Sequence, residues 1–362
     1  MKLHEYEAKK IFKKYGIDVP KSFLIKKGDD VELKEFDEAV LKAQVLVGGR
    51  GKAGGILFTN KENFKEKVEE LFNKEIKGEK VDKILVEEKL RIKKEYYLSI
   101  TIDRNEKKPV IIFSSEGGVD IEEIAEKHPE KIIKYYVDIK KPFLPYIGRE
   151  IAKKAGVEIK VGDIIYKVYK IFKELDATLV EINPLVITED NKIYAADAVI
   201  HLDDDSYFRQ DFSEFEEYKN KENLPFAYVE LDGDVAVIGN GAGLTLASMD
   251  TIYDFGLKPA CFLDIGGGAD EETTKLALKK VLENKKVKGI FINVLGGITR
   301  CDEVAKAIVE ILKDNPNIKF SVRLTGTNEE LGRKILEEAN IPYSTSMYEA
   351  GKRLAESLRF SL

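Results

Sequence analysis

The chain has 362 residues, which as a prior means about two domains, and its 43% apolar content is enough for real cores. Charged residues make up 34% with both signs interspersed and a net charge of −6, which argues against a surface that coats nucleic acid. Two cysteines cannot build a disulfide framework and no run of about 18 apolar residues offers a membrane span, so a reduced, cytoplasmic chain with neither nucleic acid nor membrane as partner is expected.

The opening MKLHEYEAKKIFKKYGI predicts an amphipathic helix with Leu3, Tyr6, Ile11, Phe12 and Tyr15 on one face. It is acidic as well as basic and lacks a small-residue cleavage site, so it reads as structure and not as a targeting signal. Next comes GGRGKAGG, residues 48–55, with five glycines and two cations in eight positions. It fails the Walker A pattern, because Ala53 follows Gly51-Lys52 and Leu46 stands where the first glycine belongs. Gly49, Gly51 and Gly54 do match a dinucleotide fingerprint, but that motif opens a helix, and here the strand-like ILFT follows. Two readings remain: a glycine flap between strands whose amides and cations cover a triphosphate, with Lys42 on the strand leading in, or a plain glycine hairpin.

Strand-like segments follow: KILVEEKL, EYYLSITID, PVIIFSS, TLVEINPLVIT and KIYAADAVI. Glu87 and Glu95 lie on the first two; a strand carboxylate can meet ribose hydroxyls, but taken alone such residues are usually just solvated. Glu181 and Asn183 stand two apart inside an apolar run, which puts both on one face of a strand. Asn183 facing Asp197 across a hairpin would make a small oxygen site suited to Mg²⁺, with a buried Asn–Asp hydrogen bond as the alternative. The polar stretch DDDSYFRQDFSEFEEYKNKENLP reads as a linker, which divides the chain at 1–225 and 226–362.

Beyond it the rhythm is regular. VAVIG, ACFLDI, GIFINVL, KFSVRL and PYSTS each lead into an amphipathic helical pattern, most of them through a glycine loop. Such alternation predicts a doubly wound parallel sheet with ligands at the carboxyl ends of its strands. GNGAG places amides at a helix start, which suits either an anion or simply a tight strand–helix turn.

Taken in order, LHEYEAKKIFKKYGI, GGRGKAGG, SSEGGVDIE, EINPLVIT, GNGAGLTLASMD, FLDIGGGA and GGITRCDEVA resemble the β subunits of the succinyl-CoA synthetase family over essentially the whole chain. The resemblance implies an ATP-grasp fold followed by a flavodoxin-like CoA-ligase domain. It implies nucleotide contacts at Lys42, Gly49, Arg50, Gly51, Glu87, Leu90 and Glu95, and Mg²⁺ ligands at Asn183 and Asp197. Glu181 would be the carboxylate that meets a phosphohistidine, and Asn240, Gly297, Ile298 and Thr299 would contact the acid substrate. The implied chemistry, a step of the tricarboxylic acid cycle, interconverts succinate, CoA and ATP or GTP with succinyl-CoA, the diphosphate and phosphate, through an acyl phosphate and a phosphohistidine. None of the three histidines here, His4, His128 and His201, follows a glycine loop at a helix start, and in the family that histidine belongs to an α subunit, as αβ or α₂β₂. One departure is Val199, where the family usually has lysine. Other readings are a relative acting on malate or acetate, and a nucleotide-binding scaffold without turnover.

Overall fold

A computed structural model describes residues 1–119, 121–220 and 224–359. The chain divides into two compact units, Met1–Lys221 and Glu222–Leu362. Among the described residues no helix is long and apolar enough to cross a membrane.

The first unit opens with helix α1 (Glu5–Lys14), strands β1 (Ser22–Lys26), β2 (Glu38–Ala43) and β3 (Ile56–Asn60), helix α2 (Phe64–Phe72), the short strands β4 (Glu75–Ile76) and β5 (Glu79–Lys80), and β6 (Lys83–Glu88). Four of these strands form an antiparallel sheet in the order β1-β6-β2-β3. Its core gathers Leu41, Ile84 and Val86 against Phe64 and Leu71 of α2. There follow β7 (Ile92–Asp103), β8 (Lys108–Ser114), α3 (Ile121–Lys127), β9 (Ile132–Tyr136), α4 (Pro145–Lys154), α5 (Ile159–Glu174), β10 (Ala177–Thr188), β11 (Ile193–Ala195), β12 (Val199–Leu202) and α6 (Glu216–Asn220). Here β11-β10-β7-β8-β9 make a second antiparallel sheet, with β12 also paired to β10. Its alternating inward residues, Leu98, Ile100, Val180 and Ile182, share a core with Ile165 and Val168 of α5 and Phe12 of α1.

The stretch 203–225 is not the open linker expected from its polarity. Phe212 and Phe215 are buried in the core of the first unit, Arg209 forks onto Asp176, and the Glu216 amide donates to Glu7 at 2.8 Å. The aromatic residues set among the charges decide this, because burying them outweighs the solvation of their neighbours. Residues 221–223 lie outside the described residues.

The second unit contains β13 (Ala227–Glu230), β14 (Val235–Gly239), α7 (Ala242–Asp254), β15 (Pro259–Asp264), α8 (Glu271–Glu283), β16 (Gly289–Gly296), α9 (Cys301–Lys313), β17 (Lys319–Gly326), α10 (Glu329–Glu338), β18 (Tyr343–Ser344) and α11 (Met347–Arg359). The sheet order is β13-β15-β14-β16-β17-β18, parallel except for the edge strand β13. The five expected parallel strands are present; β13 was not foreseen. Continuous apolar runs such as Ile290–Val294 suit strands covered by helices on both faces. The order reverses at β14, which lies between β15 and β16, so the crevice for a ligand opens at the carboxyl ends of β14 and β16.

Close backbone contact sets those ends. Gly326 has φ +122°, and a Cβ there would lie 2.0 Å from the Gly296 carbonyl oxygen. Gly326→Ala is therefore expected to lower unfolding free energy by roughly 2 kcal/mol or more in urea titration. Gly297→Ala, with no atom within 4 Å of the added carbon, is expected to stay within about 0.5 kcal/mol of the native chain. Equal effects would contradict this account of the loop.

Candidate functional site

The first unit holds a cavity of about 780 Å³ between its four-stranded and six-stranded sheets. The glycine loop 48–55 connects two paired strands, β2 and β3, with Lys42 opposite Ile56. It is thus a flap and not the start of a helix. The flap closes on itself: Gly55 donates to the Arg50 carbonyl and Ala43 to the Gly55 carbonyl, both at 2.8 Å. Gly49 and Gly54 sit at φ +73° and +76°, where a glycine avoids strain.

Of the residues implied for the first unit, Lys42, Gly49, Arg50, Gly51, Glu87, Leu90, Glu181, Asn183 and Asp197 all line this cavity. Glu95 does not. It lies in an adjoining shallow recess with Lys93, Lys94 and Ser115–Gly117, where partial burial raises its carboxyl above the usual glutamate range. Glu87, which taken alone reads as a solvated strand carboxylate, is instead 1% exposed and paired with two ammonium groups.

Strand register brings Asn183 and Asp197 together. Glu181 is opposite Val199 and Leu185 opposite Ala195, so the same register puts Asn183 opposite Asp197. Regular pairing lapses between those rungs. Asn183 Oδ1 accepts from the Gly118 amide at 2.9 Å, and its amide donates to the Val119 carbonyl at 3.0 Å. Asp197 Oδ1 accepts from Arg50 at 2.9 Å and from the Ala198 amide at 2.7 Å. One carboxylate and one amide oxygen are hard donors of the kind Mg²⁺ takes when phosphate and water complete its octahedron, so the residues fit that ion. Two positions back along the same face, Glu181 accepts from the Tyr97 hydroxyl at 2.7 Å.

Helix α1 supplies two site residues that the sequence reading missed. Glu5 is 2% exposed and Lys9 3%. Lys9 Nζ is 2.7 Å from Glu5 Oε1, 2.6 Å from Glu87 Oε1 and 2.8 Å from the Ala196 carbonyl. Arg50 lies 2.9 Å from Glu5 Oε2, a charge contact with no directed hydrogen bond to that oxygen. Three carboxylates (Glu5, Glu87, Asp197) thus meet three cations (Lys9, Lys42, Arg50). Burial alone would raise the Glu5 carboxyl, but Lys42, Lys9 and Arg50 bring it well below its usual value. Burial would likewise lower the Lys42 ammonium, yet Glu5, Glu87 and Asp197 hold it above the usual lysine range. A signal was present: positions 5, 8, 9 and 12 form one helical stripe, and its other members, Ala8 and Phe12, are core residues.

In the second unit the loops meet at the topological switch. Asn240, after β14, accepts from the Leu295 amide at 2.9 Å and donates to Thr299 Oγ1 at 3.1 Å. Thr299 Oγ1 also accepts from the Gly268 amide at 3.0 Å, which joins the DIGGG loop to the same cluster. Asn240 and Thr299 are therefore brought together, Thr299 buried; Gly297 is exposed, and Ile298, 75% exposed, stands over Gly267 and Gly268. At the start of α7 the Gly241 amide donates to the Asp264 carboxylate at 2.6 Å, so part of the anion-attracting end is met internally.

Comparison with known proteins follows this layout. Residues 2–187 match the ATP-grasp domain family and residues 238–356 the CoA-ligase family. A succinate–CoA ligase [ADP-forming] subunit beta of Methanocaldococcus jannaschii is 76% identical over 364 residues, covering 99% of this chain and all of that protein. The chain belongs to the family of succinate–CoA ligase β subunits. A member from Methanothermobacter thermautotrophicus is 48% identical over 98% of this chain and 99% of its own, and a [GDP-forming] one from Thermus thermophilus is 44% identical over 98% of each. Among solved structures, ATP citrate lyase from Methanothrix soehngenii, in complex with citrate and coenzyme A, shares the fold with a TM-score of 0.74 at 23% identity, covering 98% of this chain and 99% of that one. The fold is thus an ATP-grasp domain followed by a CoA-ligase domain with a parallel sheet.

The Glu5 shift makes a pH prediction. Its folded value lies below the unfolded one, so its stabilisation is fully present above the ordinary 4.5 and is lost as pH falls below it. Glu5→Gln is expected to cost about 3 kcal/mol at pH 7 and to flatten the decline of the thermal midpoint below that value. Parallel stability–pH curves for the two proteins would contradict the buried cluster.

Proposed function

We propose that this chain is the nucleotide-binding subunit of a succinate–CoA ligase, interconverting succinate, CoA and ATP with succinyl-CoA, ADP and phosphate. It does so through an acyl phosphate and a phosphohistidine carried by a partner α subunit. The observation that carries the reading is the convergence of Lys42, the glycine flap and the Asn183–Asp197 pair on one cavity.

Phosphoryl transfer asks little covalent chemistry of a protein and much positioning and charge neutralisation. The amides of Gly49 and Gly51 and the cations Lys42 and Arg50 would hold the phosphate chain. Glu87 and Leu90 would border the nucleoside, with Glu95 at its margin. Asn183 and Asp197 would hold Mg²⁺, which when bound would offset phosphate charge. Glu181, on the same strand face, would receive the partner's phosphohistidine, oriented by the Tyr97 hydroxyl. In the second unit, Asn240, Gly297, Ile298 and Thr299 would meet the acid at the strand ends, and α7 would face the phosphohistidine with its amino terminus. Buried, free thiols at Cys261 and Cys301 suit a reducing cytoplasm. Of the three histidines, His201 lines the cavity, so it is the residue to suspect if the chain turns over alone.

Two assays test this. In the first, the purified chain is assayed with and without the α subunit for ADP release dependent on Mg²⁺, CoA and succinate. Activity is expected in the mixture only, with succinate preferred over malate and acetate; turnover by the chain alone would overturn the two-subunit reading. In the second, Asp197→Ala and Glu181→Gln are each expected to lower kcat of the assembled enzyme at least 100-fold, on the order expected for loss of a transition-state charge contact. Asp197→Ala alone should also weaken Mg·ADP binding, and full retention of activity by either variant would remove that residue from the proposed site.

A further inference from the structure

We propose that Lys9, in helix α1, is a positioning residue for nucleotide binding: a standing counter-ion that keeps Glu5 and Glu87 in place so that Lys42 can turn to phosphate. This rests on the nucleotide reading of the cavity.

A lysine ammonium has three N–H donors. Inside the protein Lys42 donates hydrogen bonds to Glu5 Oε1 at 2.8 Å and the Ala196 carbonyl at 2.5 Å and forms an ion pair with Glu87 Oε2 at 2.8 Å. Turning to a phosphate would draw it away from these partners. Doing so would leave a buried carboxylate short of its cation, at substantial cost, unless another cation already holds it. Lys9 does. Its ammonium contacts the same three groups, sharing Glu5 Oε1 and the Ala196 oxygen and taking the other oxygen of Glu87.

The two lysines differ in where they can go. Lys42 lines the cavity; Lys9 does not, and its backbone is fixed on a helix whose neighbours Ile11 and Phe12 are core residues. Two ammonium groups on shared oxygens repel each other. Lys42, the one of the two that lines the cavity, relieves that repulsion by moving outward, toward an arriving anion. The charge count agrees. With Lys42 and Arg50 recruited by the phosphates, Lys9 stays behind on Glu5 and Glu87, while Asp197 turns to the metal. Removing Lys9 leaves three carboxylates against two cations, and Lys42 becomes the one ammonium on two buried carboxylates.

The test is calorimetric titration of Mg·ADP into the full-length chain and its variants. Lys9→Met is expected to raise Kd at least tenfold. Adding Glu5→Gln to it restores the charge balance at two and two, and is expected to bring Kd back to within threefold of the native chain. Lys9→Met placed on Lys42→Met is expected to change Kd by less than threefold, because the residue it releases is already gone. A purely structural Lys9 would lower the thermal midpoint and leave Kd unchanged, or the Glu5→Gln addition would deepen the loss; either result overturns the proposal. Should Lys9→Met not fold, the Lys9→Met/Glu5→Gln pair decides: Kd within threefold supports the proposal, and a folded chain binding more than tenfold weaker overturns it. If the native chain itself fails to bind Mg·ADP, it is the nucleotide reading that falls.

Discussion

The first unit is organised around six clustered charges, three of each sign, five of them buried and Asp197 half-buried, in the seam where α1, β2, β6 and the turn at Ala196–Asp197 meet. Buried ion pairs are weak stabilisers, since desolvation consumes most of the Coulomb gain and apolar replacements often do as well. A cluster of this size therefore makes better sense as a poised site than as structural support. It fixes the flap through Arg50, the strand cation through Glu5 and Glu87, and the metal-side carboxylate through the Arg50–Asp197 pair. On the proposed reading, an anionic ligand arriving with a divalent cation would exchange these partners one for one: phosphate for carboxylate at the cations, metal for guanidinium at Asp197. The site is prepaired with itself, and such a ligand would replace interactions in place of filling bare charges.

The second unit works by different means. Among the described residues no dense charge cluster marks its switch point. There the loops are tied by neutral hydrogen bonds through Asn240 and Thr299 and by carbonyl approaches that glycines alone permit. Asp264 bridges the amides of Gly241 and Gly266, so one internal anion pre-shapes the two loops that border α7. Such a surface suits recognition of a small acid by directed hydrogen bonds.

Much of this was legible beforehand, where periodicity and spacing speak directly. The five parallel strands and their helices followed from alternation. The strand–flap–strand character of residues 40–60 followed from ILFT coming straight after the glycines. Asn183 and Asp197 stood out because polar residues inside apolar runs need partners. Three features were not legible, for physical reasons. Glu87 looks like any strand carboxylate until the lysines opposite it are known, and those come from residues 9 and 42. Glu5 and Lys9 carry no mark of their own on α1, because helix charges look alike until Lys42 and Glu87 are brought against them. Phe212 and Phe215 were hidden by the acidic residues around them. In each case the deciding partner is distant in sequence. Family resemblance, and not residue chemistry, supplied Leu90 and the placement of the phosphohistidine on another chain.

The most direct measurement is a crystal structure of the full-length chain with Mg²⁺ and ADP. The account predicts phosphates against the Gly49–Gly51 amides, the ion held by Asn183 and Asp197, Arg50 turned from Asp197 to phosphate, and Lys9 still on Glu5 and Glu87. A nucleotide bound outside this cavity, or bound within it while Arg50 keeps Asp197 and the metal sits on other residues, would contradict it.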